Sequence, residues 1–523
     1  MSQPSLSGLS NEVLLQIFSH FCLHCQDRYN QSWDARPLRA RPFTENQEPN
    51  TKSWYSLNRH ALFSMSLTSK RLRDISQQVL YHEFVLGYGD SWASDLYSWK
   101  GRLMSFMRTL TKRPDLAKLV KVVYVHTYLL DDTPEEKRAA LMEAAHGLGI
   151  DLPNAWRQRI SDEPNGESSD WLHCFNAFLF SFLDGKEYPN PKANKWLKKA
   201  FPDTADRWLN AEVVAMLVAQ LPSLDYLSVQ GDFHWPAFGF SEGALSALNV
   251  SRLPLKTLDL GVDGDAIIAL AARLETLNLH QTYVKSPVPP MPNLKKLRIT
   301  KVQMTHRKLQ DILTACTRGL EAFEYEADSP DTSHHCHGPT PPFDPERYPF
   351  HPPQAIQCLK THTRTLELLH LDLSLRNNRM TVFSPGANLK DLTGLKHLFL
   401  SSNTIFDIIS READDLPDSE ALVRILPVSI VSLSIIGGDK RVKKGLLGLA
   451  DLKNCQPNEF PKLKYVSYFA KGTTKSTLSS MFSAIGVEYD HKVPRLSRVK
   501  PYLNGPNDTN FFPLPIYYSD EDL

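Results

Sequence analysis

The sequence has no apolar run of about eighteen residues or more, the length that a membrane-spanning helix requires. Its first residues, MSQPSLSGLSNEVLL, lack the basic region, apolar segment and small-residue cleavage site of a secretory signal. Both absences favour a protein that remains inside the cell and enters no membrane. We therefore expect it in the cytoplasm, the nucleus or both.

An excess of charge of either sign is also absent. The 59 basic and 58 acidic residues leave a formal net charge of +1. A domain that binds nucleic acid or an anionic membrane surface usually carries a clear positive excess. We therefore expect neither nucleic acid nor a membrane among the partners.

Cysteine is scarce, and the cysteine-containing segments do not have the spacing of a complete metal site. Seven cysteines in 523 residues form no disulfide framework and suit a reducing compartment. The segment CLHC, from Cys22 to Cys25, has the spacing of half a zinc site, but no second matching pair follows. The segment SHHCH, from Ser333 to His337, is interpreted as part of an exposed polar loop. The sequence thus predicts no metal and no cofactor.

Motifs of catalysis are missing as well. The chain contains no Gly-rich phosphate loop, no G-x-S-x-G elbow, no H-E-x-x-H helix and no set of kinase motifs. We expect no catalytic residues and a protein that is not itself an enzyme.

Two apolar segments stand out in the first ninety residues: LSNEVLLQIFSHF from Leu9 and LFSMSLTSKRLRDISQQVLYHEF from Leu62. In the first, Ser10 can cap a helix and Glu12 lies in the first turn, where a negative charge favours the helix dipole. In the second, Thr68 can cap another helix, preceded by a short apolar turn. The pattern predicts two helices linked through a polar stretch.

Together these segments resemble the two halves of an F-box. The matching residues are Leu9, Glu12, Val13, Leu14, Ile17, Phe18 and Phe21 in the first half, and Leu62, Met65, Leu67, Ser69, Lys70, Arg71, Leu72 and Arg73 in the second. The chain departs from the family pattern at Ser10, where proline is usual. It also carries a long polar insert at about 23–59, interpreted as a surface loop, in place of a short connection.

This resemblance implies a partner and a mode of binding. F-boxes dock on the Skp-type adaptor of SCF ubiquitin ligases, and the adaptor connects them to a cullin. Docking of this kind packs helical apolar side chains into a groove of the partner. The implied adaptor contacts are Leu9, Val13, Leu14, Ile17, Phe18, Phe21, Leu62, Met65, Leu67 and Leu72.

From Leu224 onward one phrase recurs: apolar, two residues, apolar, one residue, apolar. The copies begin at Leu224, Leu255, Leu274, Leu294, Leu320, Leu366, Leu395, Ile430 and Leu463, with a possible earlier copy, VKVVYV, at Val120. The phrase is typical of the strand of a leucine-rich repeat, and helix-like stretches lie between several copies. The sequence therefore predicts an irregular, curved α/β solenoid with a parallel sheet. The spacing is uneven, with a Pro-rich loop expected at 327–353, so buried strands of another α/β fold are the alternative.

The whole layout is similar to fungal-type F-box proteins with divergent leucine-rich repeats. It divides into a three-helix F-box domain at 1–90 with a long internal loop at about 23–59, a linker and helical region at 91–215, a leucine-rich-repeat-like solenoid at 216–490 and a C-terminal tail at 491–523. The resemblance implies a substrate-recognition subunit of an SCF-type ubiquitin ligase that binds an unidentified protein substrate. Two alternatives are an interaction scaffold without a role in degradation and an enzyme with an unrecognised site at about 130–220.

Residues between the apolar strand positions would face the concave surface of such a solenoid. The candidate substrate contacts are Asp259, Asn278, Lys296, Arg298, His370, His397 and Phe399. Their charges alternate in sign, which favours no single class of substrate. A ladder of polar residues paired with one another is the alternative.

Overall fold

The computed structural model describes residues 6–26, 54–86, 100–162, 202–230, 242–262, 264–282, 284, 287–327, 349–373, 388–409, 417–470 and 476–491. These residues belong to two compact units that meet in sequence between Leu255 and Lys256. Both units combine α-helices with parallel strands, which confirms the predicted mixed α/β class. No helix in the described ranges combines the length and apolar character needed to cross a membrane.

In its described part, the first unit carries three strands and nine α-helices. The helices are Asn11–Ser19 (α1), Trp54–Thr68 (α2), Lys70–Leu80 (α3), Arg102–Lys112 (α4), Pro114–Ala117 (α5), Pro134–Leu148 (α6), Leu152–Asp162 (α7), Pro202–Ala219 (α8) and Glu242–Ala247 (α9). The strands are Glu83–Phe84 (β1), Val122–His126 (β2) and Tyr226–Gln230 (β3). They pair in parallel in chain order, so the VKVVYV segment is a strand beside the first predicted copy.

The boundaries of α1, α2 and α3 agree with the sequence in part. Ser10 caps α1 as predicted, because its hydroxyl accepts a hydrogen bond from the Val13 amide at 3.4 Å. Thr68, however, ends α2, and Ser69 caps α3 instead. The apolar turn predicted at 62–67 is part of α2, which begins at Trp54, inside the expected surface loop. The helix starts early because Tyr55 is buried with Val85, which follows β1, and with side chains of β2 and β3.

The three helices form one small apolar core. It contains Leu14, Phe18, Cys22, Leu62, Ile75 and Val79, all buried. Leu72 packs against that core from α3, so the two halves of the predicted module meet in space. The guanidinium of Arg71 also donates to Asn11 Oδ1 at 2.8 Å and to the Leu9 carbonyl, tying the start of α3 to the start of α1.

Helix α6 has residues at both ends that favour its start and its end. Thr133 and Glu136 form a reciprocal capping box, and Pro134 occupies the first helical position. Gly149 ends the helix with φ 71°, a left-handed conformation that glycine adopts without strain.

In its described part, the second unit carries nine strands and seven α-helices. The strands are Thr257–Leu260 (β4), Thr276–His280 (β5), Lys296–Thr300 (β6), Ala322–Glu326 (β7), Leu368–Asp372 (β8), His397–Ser401 (β9), Ser432–Ile436 (β10), Tyr465–Phe469 (β11) and Glu488–Asp490 (β12). The helices are Asp265–Leu270 (α10), His306–Thr314 (α11), Pro352–Leu359 (α12), Ser402–Ile409 (α13), Ala421–Ile425 (α14), Lys440–Cys455 (α15) and Ser476–Ala484 (α16). The strands pair in parallel, again in chain order.

All nine recurring phrases form strands, and equivalent positions pair with one another across the eight of these strands, β4 to β11, that lie in the second unit. One register row runs Leu258, Leu277, Leu297, Phe323, Leu369, Leu398, Leu433 and Val466. Every side chain in this row is buried. The second residue of each phrase plays a constant backbone role: the Glu275 amide donates to the Lys256 carbonyl at 2.8 Å, and the Lys295 amide donates to the Glu275 carbonyl at 2.9 Å. The recurring phrases thus occupy equivalent positions in neighbouring parallel strands.

Residues 328–348 of the Pro-rich loop expected at 327–353 lie outside the described residues, whereas residues 349–353 are packed or helical. Phe350 is fully buried against Tyr325, with ring centroids 4.7 Å apart, and its amide donates to the Met304 carbonyl at 2.9 Å. Pro352 and Pro353 open α12 instead of preventing a helix. Proline is tolerated in the first helical turn, where the missing amide hydrogen would have no intrahelical acceptor.

Candidate functional site

Exposed apolar side chains concentrate on the three N-terminal helices and the turn before them. Nine large apolar side chains are exposed in the described residues, and six of these precede residue 70: Leu6, Val13, Leu15, Leu57, Phe63 and Leu67. We call these six the exposed apolar set. Phe63 and Leu67 are 52% and 71% exposed and are four residues apart on α2, so they lie on one face of that helix. This pair of large apolar side chains makes the face a candidate binding surface.

The predicted adaptor contacts fall into three classes of exposure. Val13 and Leu67 are exposed; Leu9, Ile17, Phe21, Met65 and Leu72 are half-buried; Leu14, Phe18 and Leu62 are buried. The last three fill the core of the module and offer a partner almost no surface, because each is at most 1% exposed. Their role is to hold the helices that carry the exposed side chains.

A second group of side chains brings metal-type ligands together at the end of α1. Cys22, His24, Cys25 and His82 each offer one ligand atom, and these atoms all lie within 4.8 Å of one another. We call these four residues the Cys/His cluster. The Cys25 Sγ lies 3.1 Å and the Cys22 Sγ 3.9 Å from the His82 Nδ1. The two imidazole rings meet edge to face, 5.3 Å between centroids.

A buried carboxylate anchors the Cys/His cluster. The Glu83 Oε2 accepts hydrogen bonds from the His24 amide at 3.2 Å and from the Cys22 thiol at 3.5 Å. Arg59 from α2 pairs with the other oxygen, Oε1, at 3.4 Å. A hydrogen bond between the two thiols raises the pKa of Cys22 and lowers that of Cys25, and His24 and His82 also lower the pKa of Cys25.

Sequence reasoning missed this cluster because it looked for a second Cys pair. His82 lies 57 residues after Cys25, in the segment LYHEF, and the fold of the three helices brings it back. His24, between the two cysteines, completes the set. The SHHCH segment lies outside the described residues.

The predicted substrate contacts of the second unit form a register row, but most of them are buried. The row runs Asp259, Asn278, Arg298, Glu324, His370 and Phe399. Each of these side chains is less than 9% exposed. A direct contact with a substrate requires accessible surface, which only Lys296 and His397 retain among the predicted residues. Lys296 and His397 remain predicted substrate contacts, and the other five are buried in this row.

Two neighbouring pairs of side chains in this row are in direct contact. The Arg298 guanidinium donates from Nε to the Glu324 Oε2 at 2.8 Å and from Nη2 to Oε1 at 2.9 Å, a bidentate ion pair. Next in the row, the His370 ring stacks on Phe399 with centroids 3.6 Å apart and planes 6° apart. Contacts of this kind between neighbouring strands stabilise a sheet.

Two buried histidines of the second unit give its stability a pH dependence. Burial lowers the pKa of His362, and burial and Arg298 lower the pKa of His370. Such histidines stay neutral in the folded chain but take up protons in the unfolded chain below about pH 6.5. The free energy of unfolding should therefore be highest above that pH. It should fall on acidification by up to about 1.4 kcal/mol per pH unit for each histidine.

His362→Gln is the variant that tests this dependence. The His362 Nδ1 accepts from the Leu320 amide at 3.3 Å, and its Nε2 bonds the Leu313 carbonyl at 3.3 Å. A neutral amide can supply both an acceptor and a donor. Denaturant unfolding at pH 7.5 and 5.5 should show a smaller loss of stability in His362→Gln than in the wild type. His146→Gln, at an exposed position on α6, should leave the loss unchanged. Equal losses in wild type and His362→Gln would contradict the prediction.

Comparison with known proteins adds no family. No protein-family model matches this chain, and no curated protein matches its sequence.

Proposed function

We propose that this chain is the substrate-recognition subunit of an SCF-type ubiquitin ligase. Its three N-terminal helices act as an F-box that docks on the Skp-type adaptor and through it on a cullin. The second unit acts as a leucine-rich-repeat-like solenoid that binds a protein substrate. The chain itself performs no chemistry. It raises the local concentration of substrate near the ubiquitin-conjugating enzyme.

The observation that carries the proposal is the exposed apolar set. A small helical module with a complete core of its own nevertheless exposes six large apolar side chains. Exposure of this kind costs solubility unless a partner covers it. The motif residues Val13 and Leu67 belong to the set, which links the F-box resemblance to the exposed surface. Covering each such side chain contributes roughly 1.5 to 3 kcal/mol before the costs of association.

The second unit supports the receptor role through its repeated geometry. In this unit each parallel strand contributes a buried apolar residue to a common row. Solenoid receptors use this arrangement to present an extended surface. Lys296 and His397 are accessible on equivalent register positions of β6 and β9. We place the proposed substrate contacts around these two residues.

A ubiquitylation assay tests the proposal directly. Proteins that co-purify with a Phe63→Asp/Leu67→Asp variant, which should not reach the ligase, are compared with those on the wild type. Substrates should accumulate on the variant and should gain ubiquitin only when the wild-type chain is combined with adaptor, cullin complex and conjugating enzyme. A bound protein that never gains ubiquitin would instead support the scaffold function.

A further inference from the structure

We propose that Cys22, His24, Cys25 and His82 bind one zinc ion. This inference is independent of the proposed ligase function, because it rests on the geometry of the Cys/His cluster alone. Two thiolates and two imidazoles are the ligand set of many structural zinc sites, and four is the number of protein ligands such sites use.

The spacing of the ligand atoms fits a tetrahedron. With zinc bonds of about 2.3 Å to sulfur and about 2.0 Å to nitrogen, ligand atoms lie roughly 3.3 to 3.8 Å apart. The contacts from the Cys25 and Cys22 sulfurs to the His82 Nδ1, at 3.1 and 3.9 Å, bracket that range closely. The upper limit of 4.8 Å for all four atoms leaves only small side-chain movements for closure.

The polar groups around the cluster favour an ion there. The Nδ1 of His24 is buried and makes no hydrogen bond. Zinc with two thiolates is neutral overall, which suits the buried Cys22 better than an isolated thiolate would. The Glu83 carboxylate holds the His24 backbone in place, and Arg59 balances its charge. Groups in such outer positions commonly orient zinc ligands.

A reactive cysteine is the competing interpretation, since Cys25 is in hydrogen-bond contact with an imidazole. A nucleophilic Cys25 needs only one histidine. That interpretation does not explain why Cys22 and His24 also lie in the cluster. Zinc uses all four groups, and it makes the cysteines less reactive instead of more so.

The position of the site gives zinc a structural role. Cys22, His24 and Cys25 follow α1, whereas His82 lies between α3 and β1. The His82 carbonyl also accepts hydrogen bonds from the Lys121 and Val122 amides at 2.7 and 3.0 Å, at the edge of β2. Zinc would thus fasten the end of α1 to the end of α3 and to the strands of the first unit. A link between distant parts of a chain stabilises it by restricting the unfolded state.

Metal content of the tag-free, full-length chain, purified under reducing conditions, tests the proposal. We expect about one zinc per chain in the wild type, and its loss in Cys25→Ser and in His82→Ala. Cys358→Ser is the matched control, because Cys358 is also half-buried beside a histidine, His306, at 3.7 Å but belongs to no group of metal-type ligands among the described residues. A His335→Ala/His337→Ala variant should also keep its zinc, which excludes the SHHCH segment as the source. Retention of zinc by both Cys25→Ser and His82→Ala would overturn the assignment.

Cobalt binding keeps the proposal testable even if the variants misfold. Chelator-stripped wild type titrated with Co²⁺ should give strong visible bands of tetrahedral cobalt and a near-ultraviolet thiolate band that saturate at one equivalent. Zinc should then displace cobalt and protect Cys22 and Cys25 from alkylation. A weak octahedral spectrum, rapid alkylation of Cys25 in the presence of zinc, or a Cys22–Cys25 disulfide in the reduced preparation would overturn it.

Discussion

Replacing Phe63 and Leu67 together by aspartate is expected to weaken binding of the Skp-type adaptor by about 100-fold or more. Both side chains are largely exposed in the free chain and lie on one face of α2. Each substitution would remove apolar area that the wild-type complex buries, and it would place a charge against the adaptor groove. Calorimetric titration of the full-length variant with purified adaptor measures the change.

The controls separate lost contact from lost folding. Leu148→Asp/Val428→Asp also replaces two exposed apolar side chains, 40% and 56% exposed, but outside the three helices, and should bind the adaptor like the wild type. Unfolding curves of both double variants should match that of the wild type. Leu14→Asp would be a poor test, because Leu14 is fully buried and a charge there would disrupt the module itself. Unchanged affinity in the Phe63/Leu67 variant would place the docking surface elsewhere.

Arg298→Met is expected to lower the free energy of unfolding of the second unit by about 3 to 5 kcal/mol. The substitution leaves the Glu324 carboxylate buried, with a side chain only 7% exposed and without its bidentate partner. An unpaired buried charge costs far more than the pair contributes when both members are present. Denaturant unfolding followed by circular dichroism gives the difference.

Two further variants test whether that loss of stability comes from the unpaired buried charge. Arg298→Met/Glu324→Leu removes both charges and should recover most of the lost stability. Lys295→Met breaks the exposed pair with Glu275, whose side chains are 50% and 45% exposed, and should cost at most about 1 kcal/mol. If the double variant is no more stable than Arg298→Met, the loss of stability comes from the missing ion pair and not from an unpaired Glu324 carboxylate. That result would contradict the prediction.

The strands of the second unit were predictable because their signal is local. In phrases such as LKTLDL at Leu255 and LETLNL at Leu274, apolar positions separated by one residue identify a strand without reference to the rest of the chain. The two-residue strand Glu83–Phe84 and the three-residue strand Glu488–Asp490 were missed, since they are too short to show a period. Their pairing with a neighbour defines them instead.

Helix α2 and the buried polar row show where local patterns mislead. Ser64, Ser66 and Thr68 give α2 a turn-like composition, yet the burial of Tyr55 and Leu62 favours a helix. A two-residue period shows that strand side chains alternate between faces, but it does not show which faces are covered. The predicted substrate contacts therefore included side chains that are buried.

The Cys/His cluster was not predicted from the sequence, for a different reason. CLHC supplies three of its ligands within four residues, and that segment alone is indistinguishable from packed thiols. The fourth ligand, His82, belongs to the cluster only through the packing of α3 against α1. Whether CLHC stands alone or belongs to a larger cluster therefore depends on tertiary contacts, which the segment itself does not reveal.

The most direct measurement of the central claim is titration of the wild-type, full-length chain with the purified Skp-type adaptor. The proposed F-box requires a saturable one-to-one complex that buries the exposed apolar set, with Phe63 and Leu67 protected from hydroxyl-radical labelling on binding. Absence of a complex at micromolar concentrations, or a complex that leaves both side chains as accessible as in the free chain, would contradict it.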